Sequence, residues 1–139
     1  MSGRLLSLLE MATYDFSDIG TSGTIEQLVV PNIDVSNWPR AELLMRVHSK
    51  TITGASTVFG VELRRALPSP QDPSRTFEQA GTGAAQAAVN VNSAAAPLLV
   101  IDDVNAPLGS YLNLYVIAVQ SATPGSINAT ISVELVLKD

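Results

Sequence analysis

The stretch YLNLYVIAVQSATPGSINATISVELVLK, residues 111–138, decides the fold. From Ile127 to Leu137 every second residue is apolar, and the residues between are mostly polar. This period of two is that of a β-strand with one buried face. The segment Tyr111–Ser121 is apolar on both faces, so it predicts a central strand that is covered on both sides. Between them, TPGS at Thr123–Ser126 has the composition of a turn and predicts a hairpin.

Upstream segments extend this β pattern. Ala41–His48 and Ser56–Leu67 alternate in the same way. Shorter strands are predicted at Thr24–Val30, Val89–Asn92 and Leu98–Asp102. The proline-rich Pro68–Arg75 and the low-complexity Gly81–Ala88 predict long connections, which suit a jelly roll better than a simple meander. About eight short strands with little helix predict an all-β fold, an antiparallel jelly-roll-like β-sandwich.

The N-terminus has a different pattern. Leu5, Leu8 and Leu9 would fall on one face of a helix. We therefore predict a short helical arm in residues 1–13 and a single sandwich domain in residues 14–139. An isolated helix of under ~12 residues is marginal in water, so the arm is expected to dock on another surface. Deleting residues 1–11 is then expected to abolish binding to a partner and to leave a folded domain.

Composition limits the classes of binding partner that the chain is expected to have. The net charge is −5 and the eight basic residues are scattered, so no nucleic acid partner is expected. The absence of cysteine excludes disulfides and cysteine zinc sites. The sequence shows neither a secretory signal nor the ~20 apolar residues of a membrane span. We therefore expect no membrane partner, and assembly in a cytoplasm.

Charge is also unevenly placed. Charged residues make up 15% of the chain, against about 25% in ordinary soluble domains. Residues 104–133 carry none. Such depletion is typical of the core of a protein interface. A buried sandwich core with a Ser/Thr/Asn surface would have the same composition, and both interpretations stand at this point.

His48 is the only histidine and the first candidate for a general base. Its neighbours Arg46, Ser49 and Lys50 include no carboxylate that would orient it, and the chain contains no nucleophile elbow. We predict that His48 is an exposed residue at a strand end, beside the turn at Thr53.

The carboxylates do not form a recognisable catalytic or metal motif. Asp102 and Asp103 are adjacent but lack the spacing of a calcium loop. Glu26, Glu62 and Glu134 fall on predicted strands, where nothing fixes the separation that a glycosidase pair requires. We therefore expect no enzymatic activity, no cofactor and no metal.

Four aromatic residues define an alternative function. Trp38, Tyr14, Tyr111 and Tyr115 could together form a sugar-stacking platform, as in carbohydrate-binding, lectin-like sandwiches. Only 5% of the chain is aromatic, and Trp38 lies in the proline-bounded turn SNWP. A cap over one end of the core is the other interpretation of Trp38.

The middle of the chain resembles a family of virion proteins. Residues 41–77 contain a strand ending in R-V-H-S, a T-I-T-G turn, a second strand and a P-x-P-x-D-P loop. This pattern, with the chain length, resembles the jelly-roll cementing, or decoration, proteins of tailed bacteriophage capsids. The resemblance implies a structural protein on the capsid exterior of the virion, which binds the major capsid protein of the mature head. It implies no catalytic residues.

Two groups of residues are candidates for contact with the capsid or with a second subunit. Arg46, His48 and Lys50 are predicted to lie on a rim turn that meets an acidic capsid surface, and Leu5, Leu8 and Leu9 form the apolar face of the arm. Self-association as a homodimer is expected, with a trimer as the alternative. A head-fibre base or a tail adaptor would use the same fold.

Overall fold

The computed structural model describes residues 3–16, 23–53, 57–68, 76–78, 85–91, 96–104, 111–120 and 126–139. In these ranges the chain forms nine strands and no helix. The strands are β1 (Gly3–Asp15), β2 (Gly23–Asp34), β3 (Arg40–Ile52), β4 (Val58–Pro68), β5 (Thr76–Glu78), β6 (Ala85–Val91), β7 (Leu98–Val104), β8 (Tyr111–Gln120) and β9 (Ile127–Lys138). Of the two predicted loops, residues 69–75 and 81–84 lie outside the described residues. The loop prediction is wrong for Pro68, which ends β4, and for residues 85–88, which begin β6 and pair with β4.

The strands form two antiparallel sheets. Sheet A has the order β1-β9-β3-β7, and sheet B has the order β2-β8-β4-β5, with β6 also paired to β4. The predicted all-β sandwich is therefore confirmed. The predicted hairpin between β8 and β9 is wrong, because β8 pairs with β2 and β4 in sheet B, whereas β9 pairs with β1 and β3 in sheet A. Their connection crosses from one sheet to the other.

The core lies between the inner faces of the two sheets. Most of it is made by the alternating apolar residues of four long strands, as their period of two predicts. These residues are Ala41, Leu43, Met45 and Val47 on β3, Phe59, Val61 and Leu63 on β4, Leu112, Leu114, Val116 and Ala118 on β8, and Ile127, Ala129, Ile131, Val133, Leu135 and Leu137 on β9. Burial thus accounts for much of the charge-free segment 104–133.

The predicted N-terminal helix is wrong, since residues 3–15 form β1 at the edge of sheet A. The physical reason is a pair of register shifts against β9. Leu6, Leu9 and Ala12 face Leu135, Val133 and Ile131, so a spacing of three on β1 matches a spacing of two on β9. Each shift inserts an extra residue, as a β-bulge does. Met11 has a positive φ of 49° at the second shift.

β2 follows a similar course at the edge of sheet B. It continues through Pro31, which is exposed, and edge strands are where a proline can be accommodated. Its register against β8 also shifts, and Asn32 has a positive φ of 57°. The backbone N–H of Asn32 donates to Oδ1 of the buried Asn113 at 2.9 Å. The side chain of Asn113 on the neighbouring strand β8 therefore gives the backbone N–H at this register shift a hydrogen-bond partner.

Candidate interaction surface

The outer face of sheet A is the candidate interaction surface. Directly paired residues of an antiparallel ladder lie on one side of the sheet, so the register defines rows across all four strands. The first row is Leu5, Val136, Glu42 and Asp103, the second is Ser7, Glu134, Leu44 and Ile101, and the third contains Ser132, Arg46 and Leu99. Each row contains both apolar and charged side chains.

Exposed apolar side chains concentrate at the two edges of this face. Leu5 and Met11 on β1 are 60% and 57% exposed, and Leu99 and Ile101 on β7 are 45% and 51% exposed. Among the described residues, the only other large apolar side chain exposed to this degree is Leu28 on β2. Apolar side chains gathered on one side of a domain are typical of a protein-binding surface.

The centre of the outer face of sheet A is charged. Arg46 Nε lies 2.8 Å from Glu134 Oε1, and the Lys138 ammonium pairs with the Glu42 carboxylate. Exposed ion pairs of this kind contribute only about 0–1 kcal/mol each to folding. Their importance is positional, because they hold two cations and two carboxylates between the apolar edges.

His48 belongs to this face but is not in a turn, since β3 continues to Ile52. A register shift between Val47 and Ser49 leaves His48 outside the pairing with β9. Its Nε2 lies 2.8 Å from Ser132 Oγ, and the Met11 N–H donates to the same hydroxyl at 3.0 Å. The histidine thus completes a polar link across β3, β9 and β1.

Replacing Ser132 tests that link. Ser132→Ala is expected to lower the free energy of unfolding by about 1–3 kcal/mol, because the Met11 N–H loses its partner in a part-buried position. Urea unfolding measures the loss. Thr130→Ala is the matched control, since its hydroxyl bonds only to the exposed Thr13 in the described structure and should cost under ~0.5 kcal/mol. Equal losses for the two variants would show that the bulge does not depend on Ser132.

The predicted contact residues are separated by the fold. Leu5, Arg46 and His48 lie on the same side of sheet A, its outer face, in different rows. Leu8 and Leu9 instead pack, half-buried, against the core. Lys50 pairs with the buried Ala129, so its side chain starts from the opposite side of β3. Met11, Leu99 and Ile101 were not predicted, and the only signal for the last two was the apolar character of both faces of LLVI at residues 98–101.

The outer face of sheet B is arranged differently. Arg64 bonds to Glu26 at 2.9 Å and to Glu62 at 3.0 Å, and its guanidinium carbon lies 4.1 Å from the centre of the Tyr115 ring. Burial opposes the charge of Arg64, but the hydrogen bonds to the two glutamates and their negative charge outweigh it and raise its pKa. Arg64 therefore shields an aromatic surface, and no comparable cover lies over Leu99 or Ile101 among the described contacts.

The remaining candidate side chains have structural partners. Asp102 Oδ2 accepts the Ala88 N–H at 3.1 Å, which links the edge strands β7 and β6 of the two sheets. Glu26 and Glu62 share Arg64, whereas Glu134 lies on the other sheet. Within the described ranges, no group of three His, Asp or Glu side chains could hold a metal ion.

The four aromatic residues do not form one platform. Tyr14 packs against Phe16 and Phe59 with ring centres 6.2 and 6.3 Å apart, and burial raises the pKa of its phenol. Tyr115 lies on the outer face of sheet B. Trp38 packs, half-buried, against the core at the turn between β2 and β3. A helix capable of spanning a membrane is not found in the described part of the chain.

Comparison with known proteins gives a structural match only. No model of a protein family matches the chain, and no curated protein matches it. Three chains of solved structures match. One belongs to the structure of infectious bursal disease virus, Gx strain, with a TM-score of 0.50 and 11% identity. The match covers 98% of this chain and 31% of that chain, so this chain spans about a third of its length. At this identity the match shows a shared all-β fold.

Proposed function

We propose that this chain is a structural virion protein that binds the outer surface of a mature phage head and cements neighbouring major capsid proteins. Its sandwich is interpreted as a jelly roll. The order β1-β9-β3-β7, and the order β2-β8-β4 with β6 also paired to β4, interleave strands that are distant in sequence, as two Greek keys do. Jelly rolls are frequent in viral capsids. The proposed role is that of the cementing protein of a short-tailed Bordetella phage.

One observation carries the proposal: the exposed apolar side chains lie mainly on the outer face of sheet A. Four of the five large ones in the described residues are on β1 and β7. Desolvating them against a partner would be favourable, at about 25 cal/mol per Å² of apolar surface buried. The paired charges between them would supply orientation more than affinity. No bond-making chemistry is needed for this role.

Modest contacts suffice for a cementing protein. A ligand that binds only the assembled shell stabilises it by about 4 kcal/mol per site when its concentration is a thousandfold above Kd. The same contact repeated over a lattice multiplies this stabilisation. A homodimer, which we also propose, would attach at two points and gain avidity from the link between them. Assembly would take place in the host cytoplasm, on the exterior of the head.

The test replaces one exposed leucine on each sheet by lysine and compares how well the two variants bind. Leu99→Lys on β7 should reduce the number of copies bound to purified heads at least about tenfold, because about 1.4 kcal/mol of lost affinity is tenfold and a buried leucine contributes more. Leu28→Lys on β2 is the matched control, since Leu28 and Leu99 are equally exposed at 45% and both lie on edge strands.

The measurement uses shells assembled from the major capsid protein of the proposed phage. Copies per shell are counted after sedimentation, and the melting temperature of each free variant is compared with that of the natural chain. Loss of binding for Leu99→Lys alone supports the proposal. Equal binding by both variants, or loss only for Leu28→Lys, places the contact elsewhere. A natural chain that does not bind the shells at all overturns the cementing role.

A further inference from the structure

A cavity at one end of the sandwich lies apart from the outer face of sheet A. Its volume is about 280 Å³, and its lining residues are Arg4, Leu6, Asp34, Asn37, Trp38 and Leu137. They come from the start of β1, the end of β2, the β2–β3 turn and the end of β9. Because β1 and β2 are edge strands of different sheets, the cavity lies where the two sheets leave an open end.

The turn that carries half of the lining is internally bonded. Asp34 Oδ1 accepts from the Ser36 N–H at 3.0 Å and from the Ser36 hydroxyl at 2.7 Å. The backbone N–H of Trp38 donates to the backbone carbonyl of the fully buried Val35 at 3.1 Å. The two bonds from Ser36 lower the pKa of Asp34, so its carboxyl stays ionised. A ligand would therefore meet an indole and a carboxylate that are already positioned, which reduces the entropic cost of binding.

The lining is divided by chemistry. Leu6, Trp38 and Leu137 make one part apolar, while Arg4, Asp34 and Asn37 make the other part polar. Arg4 supplies donors, Asn37 supplies a donor and an acceptor, and Asp34 supplies acceptors. Both bonds from Ser36 end on Oδ1, so Oδ2 of Asp34 is the oxygen that a ligand hydroxyl would meet.

We propose that this cavity binds a single neutral pyranose unit of a glycan. A pyranose ring has a face of C–H groups that can pack on the Trp38 indole, and a rim of hydroxyls that both donate and accept. The lining carries one cation, Arg4, and one anion, Asp34, so its charges balance and favour neither an anionic nor a cationic ligand. A neutral, polyhydroxylated ring satisfies all three polar side chains and the apolar wall together. A cavity of this kind with a few convergent polar groups is typical of a small-molecule site.

Trp38 provides the readout, because it is the only tryptophan of the chain. The full-length protein is titrated with the methyl glycosides of glucose, galactose, mannose and N-acetylglucosamine while its tryptophan emission is followed. At least one of them should give a saturable change with a dissociation constant of about 1–10 mM, the range that the efficiency of small ligands allows. Sorbitol, an acyclic polyol without an apolar ring face, should give none.

Two variants and one control locate the site. Asp34→Asn and Asn37→Ala should each weaken binding of the responding glycoside at least about tenfold. The loss of one hydrogen bond to a charged or well-placed group accounts for a change of this size. Asp103→Asn removes an exposed carboxylate on β7 and should leave binding unchanged. Circular dichroism and melting temperature confirm that each variant is folded, and Asn37→Ala serves if Asp34→Asn disturbs the turn.

Ligand-observed NMR repeats the titrations without relying on emission. If none of the four glycosides binds saturably by either method, the proposal is overturned. It is also overturned if sorbitol binds equally well, or if binding survives in both Asp34→Asn and Asn37→Ala. Binding to capsid shells is a separate property of the outer face of sheet A, and its outcome does not depend on this cavity.

Discussion

A chain that lacks residues 1–11 is expected not to fold. These residues contain most of β1, and they supply its pairs with β9 from Gly3 opposite Lys138 to Leu9 opposite Val133. Their removal takes away that ladder and the half-buried Leu6, Leu8 and Leu9, which pack against the core. Natural domains are stable by only about 5–15 kcal/mol, so the loss of most of a strand exceeds what the fold can tolerate.

The measurement is thermal unfolding with near-ultraviolet circular dichroism. The truncated chain should show no cooperative transition, whereas the full chain should. The control is Leu5→Ser with Met11→Ser, which removes two exposed side chains and keeps the backbone ladder. Exposed substitutions usually change stability by less than about 0.5 kcal/mol each, so this variant should unfold like the natural chain. A truncated chain with an unchanged transition would restore the separable arm that the sequence predicts.

The contrast between β1 and β9 explains what a sequence pattern can and cannot show. β9 keeps a strict period of two over Ile127–Leu137, and that pattern predicted both the strand and its buried face. In β1 two bulges give the inward residues a spacing of three, which resembles the spacing on a helix. A bulge depends on the partner strand, so the local sequence of β1 alone does not reveal it.

The pairing of the strands and the close approach of β6 to β4 could not be predicted from the local sequence either. The turn residues after β8 predicted a reversal of the chain, but nothing in them specifies whether the next strand joins the same sheet or the opposite one. Gly60 lies between the buried Phe59 and Val61 on β4. A Cβ there would lie 2.3 Å from the Val89 carbonyl oxygen, so the glycine allows β6 to approach β4. Such requirements exist only between strands that are far apart in sequence.

The sequence predicted only part of the candidate surface, because the rest depends on how the strands pair. The alternation of β3 placed Arg46 and His48 on the outward side, and the structure agrees. Leu99 and Ile101 lie on the edge strand β7, where both faces are apolar, so periodicity could not say which face is buried. Their pairing with Arg46 and Leu44 of β3 decides the orientation.

Phe59→Ala is expected to be the most destabilising single substitution that we propose. Phe59 is fully buried on β4, and its ring centre lies 6.3 Å from that of Tyr14 and 6.4 Å from that of Phe16. Tyr14 and Phe16 belong to the end of β1 and the residue after it, so the three rings join the two sheets. Removing the central ring should cost about 3–5 kcal/mol, through lost burial and the cavity that remains.

Guanidinium unfolding at pH 7 measures this loss as a lower midpoint with an unchanged slope. Tyr14→Phe is the matched control, because it keeps the ring contact with Phe59 and removes only a hydroxyl, so its midpoint should change little. Phe59→Leu should fall between the two, since it retains part of the buried volume. If Phe59→Ala cost no more than Tyr14→Phe, the rings would not join the sheets, and the link between β1 and sheet B would have to lie in other contacts.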